Sequence, residues 1–85
     1  PMAFAQEAGP ILDCESRWRA DAVGDQGRAL GRWQLRVDVH GARMVALGLD
    51  PLDEGDRTLM AARLWQESGG WTPWLACARK ARLIE

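Results

Sequence analysis

Residues 10–35 read PILDCESRWRADAVGDQGRALGRWQL, and the way this stretch divides decides the fold. Its first half continues a helical pattern. Phe4, Ala8, Ile11, Leu12 and Glu15 fall on one stripe, and Ile11, Cys14, Glu15 and Trp18 stand at i, i+3, i+4 and i+7. Gly9-Pro10 is expected to kink that helix or restart it, because proline lacks an N–H and suits a first turn. The second half is punctuated by Gly24-Asp25, Gly27 and Gly31. Residues 22–33 are therefore expected to form a loop or a short irregular hairpin, ended by Gln34-Leu35.

Downstream the pattern is helical again. A helix fits 37–47, with Val37, His40, Met44 and Val45 on one face and Gly48 as its stop. Residues 49–56 form a turn-rich link in which Asp56 is the expected N-cap of a helix over 57–68. That helix turns Ala61, Leu64 and Trp65 inward and ends at Gly69-Gly70. A last helix is expected to start at Thr72 as N-cap with Pro73 in its first position. Trp74, Cys77, Ala78 and Ala81 then lie on one face. Arg79, Lys80 and Arg82 in its last turns read as a solvated helix end that complements the helix dipole. The expected architecture is α-dominated, α+β at most, with four to five helices and one glycine-rich excursion, in a single domain over 1–85.

Composition narrows the function classes. The chain has 85 residues, 47% of them apolar, which excludes a disordered segment. Eleven Lys and Arg against twelve Asp and Glu give a net charge of −1, so no electrostatic footprint for nucleic acid is present. No apolar run approaches the roughly 20 residues of a membrane span. No charged start followed by an apolar stretch marks an export signal near Pro1. A chain this short buries only about 60–65% of its unfolded surface. Five Trp, one Phe and no Tyr are its aromatic complement. Some of the Trp must build the core, and indole faces also suit the C–H faces of sugars. Cys14 and Cys77 are too few and too far apart for a zinc site. One disulfide closing most of the chain and two buried free thiols are both open readings.

Glu15 stands out chemically, as a carboxylate on an apolar stripe just before a glycine-rich loop. Burial disfavours its charged form and raises its pKa, which is what a general acid requires; lysozyme is the worked example of that principle. The competing reading is a boundary glutamate reaching water or pairing with Arg17 or Arg19. His40, the one histidine, could serve as a base, but a lone histidine on a helix face is usually structural. No cofactor motif and no Ser-His-Asp arrangement is indicated.

Cys14-Glu15-Ser16, then Ala22-Val23-Gly24-Asp25, Gly27, Ala29, Gly31 and Gln34-Leu35, resemble the lysozyme-like superfamily, soluble lytic transglycosylases most closely. In that family a Glu-Ser pair closes a helix and a Gly-x-x-Gln element floors the sugar cleft. Gly31-Arg32-Trp33-Gln34 occupies the place of that element. The far end, Gly70-Trp71-Thr72-Pro73-Trp74-Leu75-Ala76-Cys77, together with Cys14-Glu15-Ser16, is similar to resuscitation-promoting-factor catalytic domains. The resemblance covers about residues 10–80. It departs from the pattern at Arg32 and Trp33, which replace an apolar pair, and in the absence of any Tyr, which often lies across the family's cleft.

The resemblance implies a lysozyme-like domain whose glycine-rich excursion forms a sugar cleft, with peptidoglycan glycan strands as partner. It implies a Cys14–Cys77 disulfide pinning the catalytic helix to the last helix. Glu15 takes the general acid/base role, and Asp25 is the one good second carboxylate, with a turn residue as its plainer reading. The substrate-binding set is Ser16, which holds helix end and loop, together with Gly31, Trp33 and Gln34; Trp74 is expected beneath the cleft as core. Cleavage of the β-1,4 bond between N-acetylmuramic acid and N-acetylglucosamine is the expected reaction. A lytic transglycosylase uses Glu15 alone and closes a 1,6-anhydro ring; a hydrolytic lysozyme uses Glu15 with Asp25. No cofactor or metal is implied. The site of action would be extracellular, at the cell wall or in the periplasm, or on a virion, and the chain is expected to act within something larger. A non-catalytic glycan-binding or assembly module and a small helical interaction domain are the rival classes.

Overall fold

The computed structural model describes residues 2–85. Its first helix, α1, spans Met2–Ser16. Phe4, Ala8, Ile11 and Leu12 bury along its inner stripe, as their spacing predicts. The helix passes through Pro10 without the expected restart. The bond that Pro10 cannot donate belongs to the Gln6 carbonyl, and both residues are exposed, so that carbonyl is open to solvent. The stripe stops at Glu15. Arg17 and Trp18 adopt left-handed φ values of 53° and 67°, the chain leaves the helix axis, and Trp18 ends exposed instead of on the stripe.

The glycine-rich excursion folds as a three-stranded antiparallel sheet of short strands, β1 Val23–Gly24, β2 Ala29–Leu30 and β3 Leu35–Arg36, in that order. A tight turn over Asp25–Gly27 joins β1 to β2, and Gly31-Arg32-Trp33-Gln34 is the hairpin turn between β2 and β3. The Gln34 N–H donates to the Gly31 carbonyl at 3.1 Å to close that turn.

Helix α2, Val37–Ala46, follows directly from β3. Gly48 stops it at φ 79°, with the Gly48 N–H on the Val45 carbonyl and the Leu49 N–H on the Met44 carbonyl, the paired bonds of a Schellman cap. Helix α3 spans Glu54–Ser68 and starts three residues before the expected 57. Its cap is Asp53, which accepts the Asp56 N–H at 2.9 Å; Asp56 itself accepts the Asp50 N–H at 2.8 Å. Gly69, at φ 77°, ends α3 in the same way as Gly48 ends α2. Thr72 does not cap the last helix. It lies in a 3-10 turn, Thr72–Trp74, whose Trp74 N–H bonds the Trp71 carbonyl, and α4 follows over Leu75–Lys80. Among the described residues this makes four α-helices and one small sheet, an α-dominated domain.

The main core joins α1, α3, α4 and the hairpin turn through Phe4, Ile11, Leu12, Trp33, Ala61, Trp71, Trp74, Cys77 and Ala78. The Phe4 ring stacks near-parallel with Trp33 and Trp71, centroids 5.0 and 5.4 Å away, and Trp74 meets Trp71 edge-on. The polar edges of these indoles are bonded: Trp33 Nε1 donates to Thr58 Oγ1, Trp71 Nε1 to Glu7 Oε1 and Trp74 Nε1 to the Trp33 carbonyl, at 2.9–3.0 Å. A second cluster of Leu35, Met44 and Met60 ties β3, α2 and α3 together. Cys14 and Cys77 form a disulfide, Cα atoms 5.7 Å apart, which joins the end of α1 to α4. The radius of gyration, 12.0 Å, equals the roughly 12 Å expected for a compact chain of this length. Among the described residues no helix is long and apolar enough to cross a membrane.

Candidate active site

Glu15 is the penultimate residue of α1, and the helix end that carries it is fixed from three sides. The disulfide holds the preceding residue, Cys14, to α4. The following residue, Ser16, is buried, and its hydroxyl donates to the Arg32 carbonyl at 2.8 Å, with the Leu12 carbonyl 3.1 Å away. Arg32 in turn donates through Nε to the Trp18 carbonyl at 2.8 Å. The end of α1 and the Gly31–Gln34 turn are thereby laced together.

A cavity of about 150 Å³ opens where these pieces meet. Glu15, Gln34, Leu35, Arg36, His40, Leu64, Pro73 and Trp74 line it. Burial raises the Glu15 carboxyl above its ordinary 4.5, and no hydrogen bond or neighbouring charge offsets that cause. Trp74, 6% exposed, forms apolar floor, as expected for a core residue beneath a cleft. His40 is partly buried there. Burial first, then the Arg43 cation, lower its pKa below the ordinary 6.5.

The structure brings Glu15 and Gln34 together and separates them from the other expected site residues. Gln34 sits at φ 47°, its amide donating to the Gly31 carbonyl at 2.9 Å and the Ala22 carbonyl at 3.3 Å. Its Oε1 lies so close over Gly24 that a Cβ there would stand 2.3 Å away. Ser16 has its hydroxyl engaged inside the protein. Trp33 belongs to the core, 3% exposed, and does not line the cavity. Gly31, at φ 78°, faces α3 and not the cavity. A Cβ on it would meet Glu54 Oε1 at 2.0 Å and the Arg57 guanidinium at 3.0 Å. Asp25 is likewise outside the lining, its two oxygens each 2.9 Å from an arginine, Arg28 and Arg36. Arg36 also grips Asp38 through two bonds of 2.6–2.7 Å, so a guanidinium that lines the cavity is already neutralised by two carboxylates. Arg36 also pulls the Asp38 carboxyl below its ordinary range.

Two groups of residues were not singled out as site residues from sequence. Arg36 ends β3 and His40 follows one helical turn later on α2; Gln34 lies in the turn at positive φ, so strand alternation gave no signal for the pair. The second group supports the turn from behind. Glu54 accepts the Arg32 N–H at 3.0 Å, pairs with the buried Arg57 at 3.3 Å and lies 3.4 Å from the Thr58 hydroxyl, which receives the Trp33 indole. Arg57 also donates to the Pro51 carbonyl at 2.9 Å.

A larger depression of about 430 Å³ is lined by Leu47, Leu49, Leu59, Ala62, Arg63, Gln66 and Glu67. A hydrogen bond from Arg43 holds its carboxylate, Glu67, below the ordinary value. Among the described residues no cluster of His, Cys, Asp and Glu is placed to hold a metal ion. Comparison with protein-family models, with curated proteins and with solved structures returns no match to this chain.

Proposed function

We propose that this chain is a peptidoglycan-cleaving enzyme acting on the β-1,4 bond between N-acetylmuramic acid and N-acetylglucosamine, with Glu15 as general acid and base. The observation that carries the reading is one carboxyl, raised in pKa by burial alone, sharing a cavity with the glutamine of a Gly-x-x-Gln turn. A carboxyl that burial makes hold its proton more tightly than usual, above an apolar floor, is suited to protonating a glycosidic oxygen. Gln34 lines that cavity with its amide N–H groups already given to the Gly31 and Ala22 carbonyls, and Trp74 forms its apolar floor. The domain is lysozyme-like in this reading, with the three-stranded hairpin as one wall of a sugar cleft.

The transglycosylase reaction is favoured over hydrolysis. A hydrolase needs a second carboxylate across the sugar, and Asp25 is held between Arg28 and Arg36 outside the cavity. With Glu15 alone, departure of the leaving sugar is followed by attack of the muramic 6-hydroxyl on its own C1. The place of action is the peptidoglycan layer, reached outside the cell, in the periplasm or from a virion. The test is clearing of a peptidoglycan suspension. Wild-type protein clears it, and Glu15→Gln loses at least about 10²-fold, the usual contribution of a general acid. Equal behaviour of the two proteins removes Glu15 from the chemistry and favours a glycan-binding or assembly module.

A further inference from the structure

Resting on that reading for its ligand, we propose that Trp18, with Arg17, Arg19 and Arg32, forms a second binding site outside the cavity. It grips the same polymer, with an indole face for a sugar ring and guanidinium groups for the carboxylates that the strand's peptides carry. The cavity cannot hold a strand by itself. Its volume, about 150 Å³, lies below the roughly 300 Å³ at which pockets for small ligands begin. The remainder of a bound strand lies on the open surface.

Four of the five tryptophans join the main core, and Trp18 alone is 51% exposed. A single exposed apolar residue is ordinary, but this one is held in place. Its φ of 67° is a left-handed conformation that is strained for a bulky residue. Its N–H donates to the Leu12 carbonyl at 3.3 Å, and its carbonyl accepts Arg32 Nε at 2.8 Å. The ring lies back along α1, where a Cβ on Gly9 would stand 3.7 Å from its Cζ2. Gly9 precedes Glu15 by six residues, about 120° around the helix, so the ring sits apart from the catalytic carboxyl. The indole is preorganised, and its open half suits the C–H face of a sugar.

The charges beside it select an acidic ligand. Arg17, Arg19 and Arg32 are all exposed. Asp13, Glu15 and Asp21 flank the first two in sequence, yet no carboxylate among the described residues pairs with any of the three. Arg32 gives its Nε to the Trp18 carbonyl and Arg19 gives its Nε to the Ser16 carbonyl, each from beside the ring's own backbone. Their terminal nitrogens point to no acceptor among the described residues and match the two oxygens of a carboxylate. A chain of net charge −1 thus carries a local cationic patch around its one exposed indole. A neutral glycan would use only the ring; a peptidoglycan strand uses both.

Binding is measured by co-sedimentation with purified, insoluble peptidoglycan, on Glu15→Gln protein so that the strands stay intact. Chitin, an uncharged glycan, is run beside it. Trp18→Ala is expected to weaken binding to both polymers about tenfold, and Trp18→Phe, which keeps a flat ring, to retain most of it. Arg17→Gln combined with Arg19→Gln is expected to weaken binding to peptidoglycan about fivefold, to leave chitin unchanged and to flatten the decline of binding with salt. A second measurement leaves the patch intact: acrylamide quenching of the one exposed indole should fall when soluble, uncut peptidoglycan strands are added. Undiminished peptidoglycan binding by Trp18→Ala or by the double arginine variant overturns the proposal, as does quenching that strands leave unchanged. Trp18-dependent binding to phosphatidylglycerol vesicles with none to peptidoglycan also overturns it and makes the patch a membrane contact. None of these readouts needs cleavage. Wild-type protein that binds strands through Trp18 without cutting them removes the cleavage reading and leaves this site standing.

Discussion

Glu15 is destabilised as an anion by its own surroundings, and that has a consequence for folding as well as chemistry. Its folded pKa lies above its ordinary 4.5, so the folded state binds the proton more tightly than the unfolded one. The stability this provides is complete below the unfolded value and is lost as pH rises through the folded one. Glu15→Gln removes the titration. Its melting temperature should match wild type near pH 4 and exceed it at pH 7, measured by circular dichroism; a variant less stable at pH 7 would contradict the burial of Glu15. At Gly31 the constraint is steric. Alanine there meets a left-handed φ and the Glu54 carboxylate at once. Gly31→Ala should cost at least about 1–2 kcal/mol from the backbone alone, read as a lower urea midpoint with unchanged slope.

The hairpin turn depends on a neighbouring element for its shape. Glu54, in the first turn of α3, receives the Arg32 N–H and neutralises the buried Arg57. Glu54→Ala leaves that guanidinium uncompensated and should cost about 3 kcal/mol in urea unfolding, with weakened glycan cleavage because the turn that holds Gln34 loosens. The elements themselves were largely legible. The apolar stripe of α1, the glycine-marked ends at Gly48 and Gly69 and the hairpin over the glycine-rich stretch all follow from local patterns. What was not legible has specific causes. Asp50, Asp53 and Asp56 recur every three residues, and each can bond a backbone N–H; choosing Asp53 as the cap takes the packing of Pro51 on Gly41 and on Arg57, which local spacing does not contain. Gln34, Arg17 and Trp18 hold positive φ values without being glycine, so nothing in their identity marks the turns they make.

At the scale of the whole molecule, four tryptophans and one disulfide hold a short chain around its candidate site. Spacing alone left the cysteines open between thiols and a disulfide, because bridging depends on where α4 packs against α1; the family resemblance pointed to the bridge that the structure contains. Trp33 could not be divided between core and sugar site for a similar reason, since the strands that turn it inward are two residues long. Reduction of Cys14–Cys77 should remove about 4 kcal/mol, lowering the melting temperature by about 15–30 °C for a domain of this size; a shift of only a few degrees would mean that packing alone holds α1 to α4. Everything proposed for the site turns on Glu15 working without a second carboxylate. Mass spectrometry of muropeptides released from purified peptidoglycan tests it most directly, with Glu15→Gln run beside the wild type. Wild type should release anhydro-muramic products, one water lighter than the reducing form, and the variant none. Reducing ends from the wild type would contradict this, and would require a second, water-activating group beside Glu15.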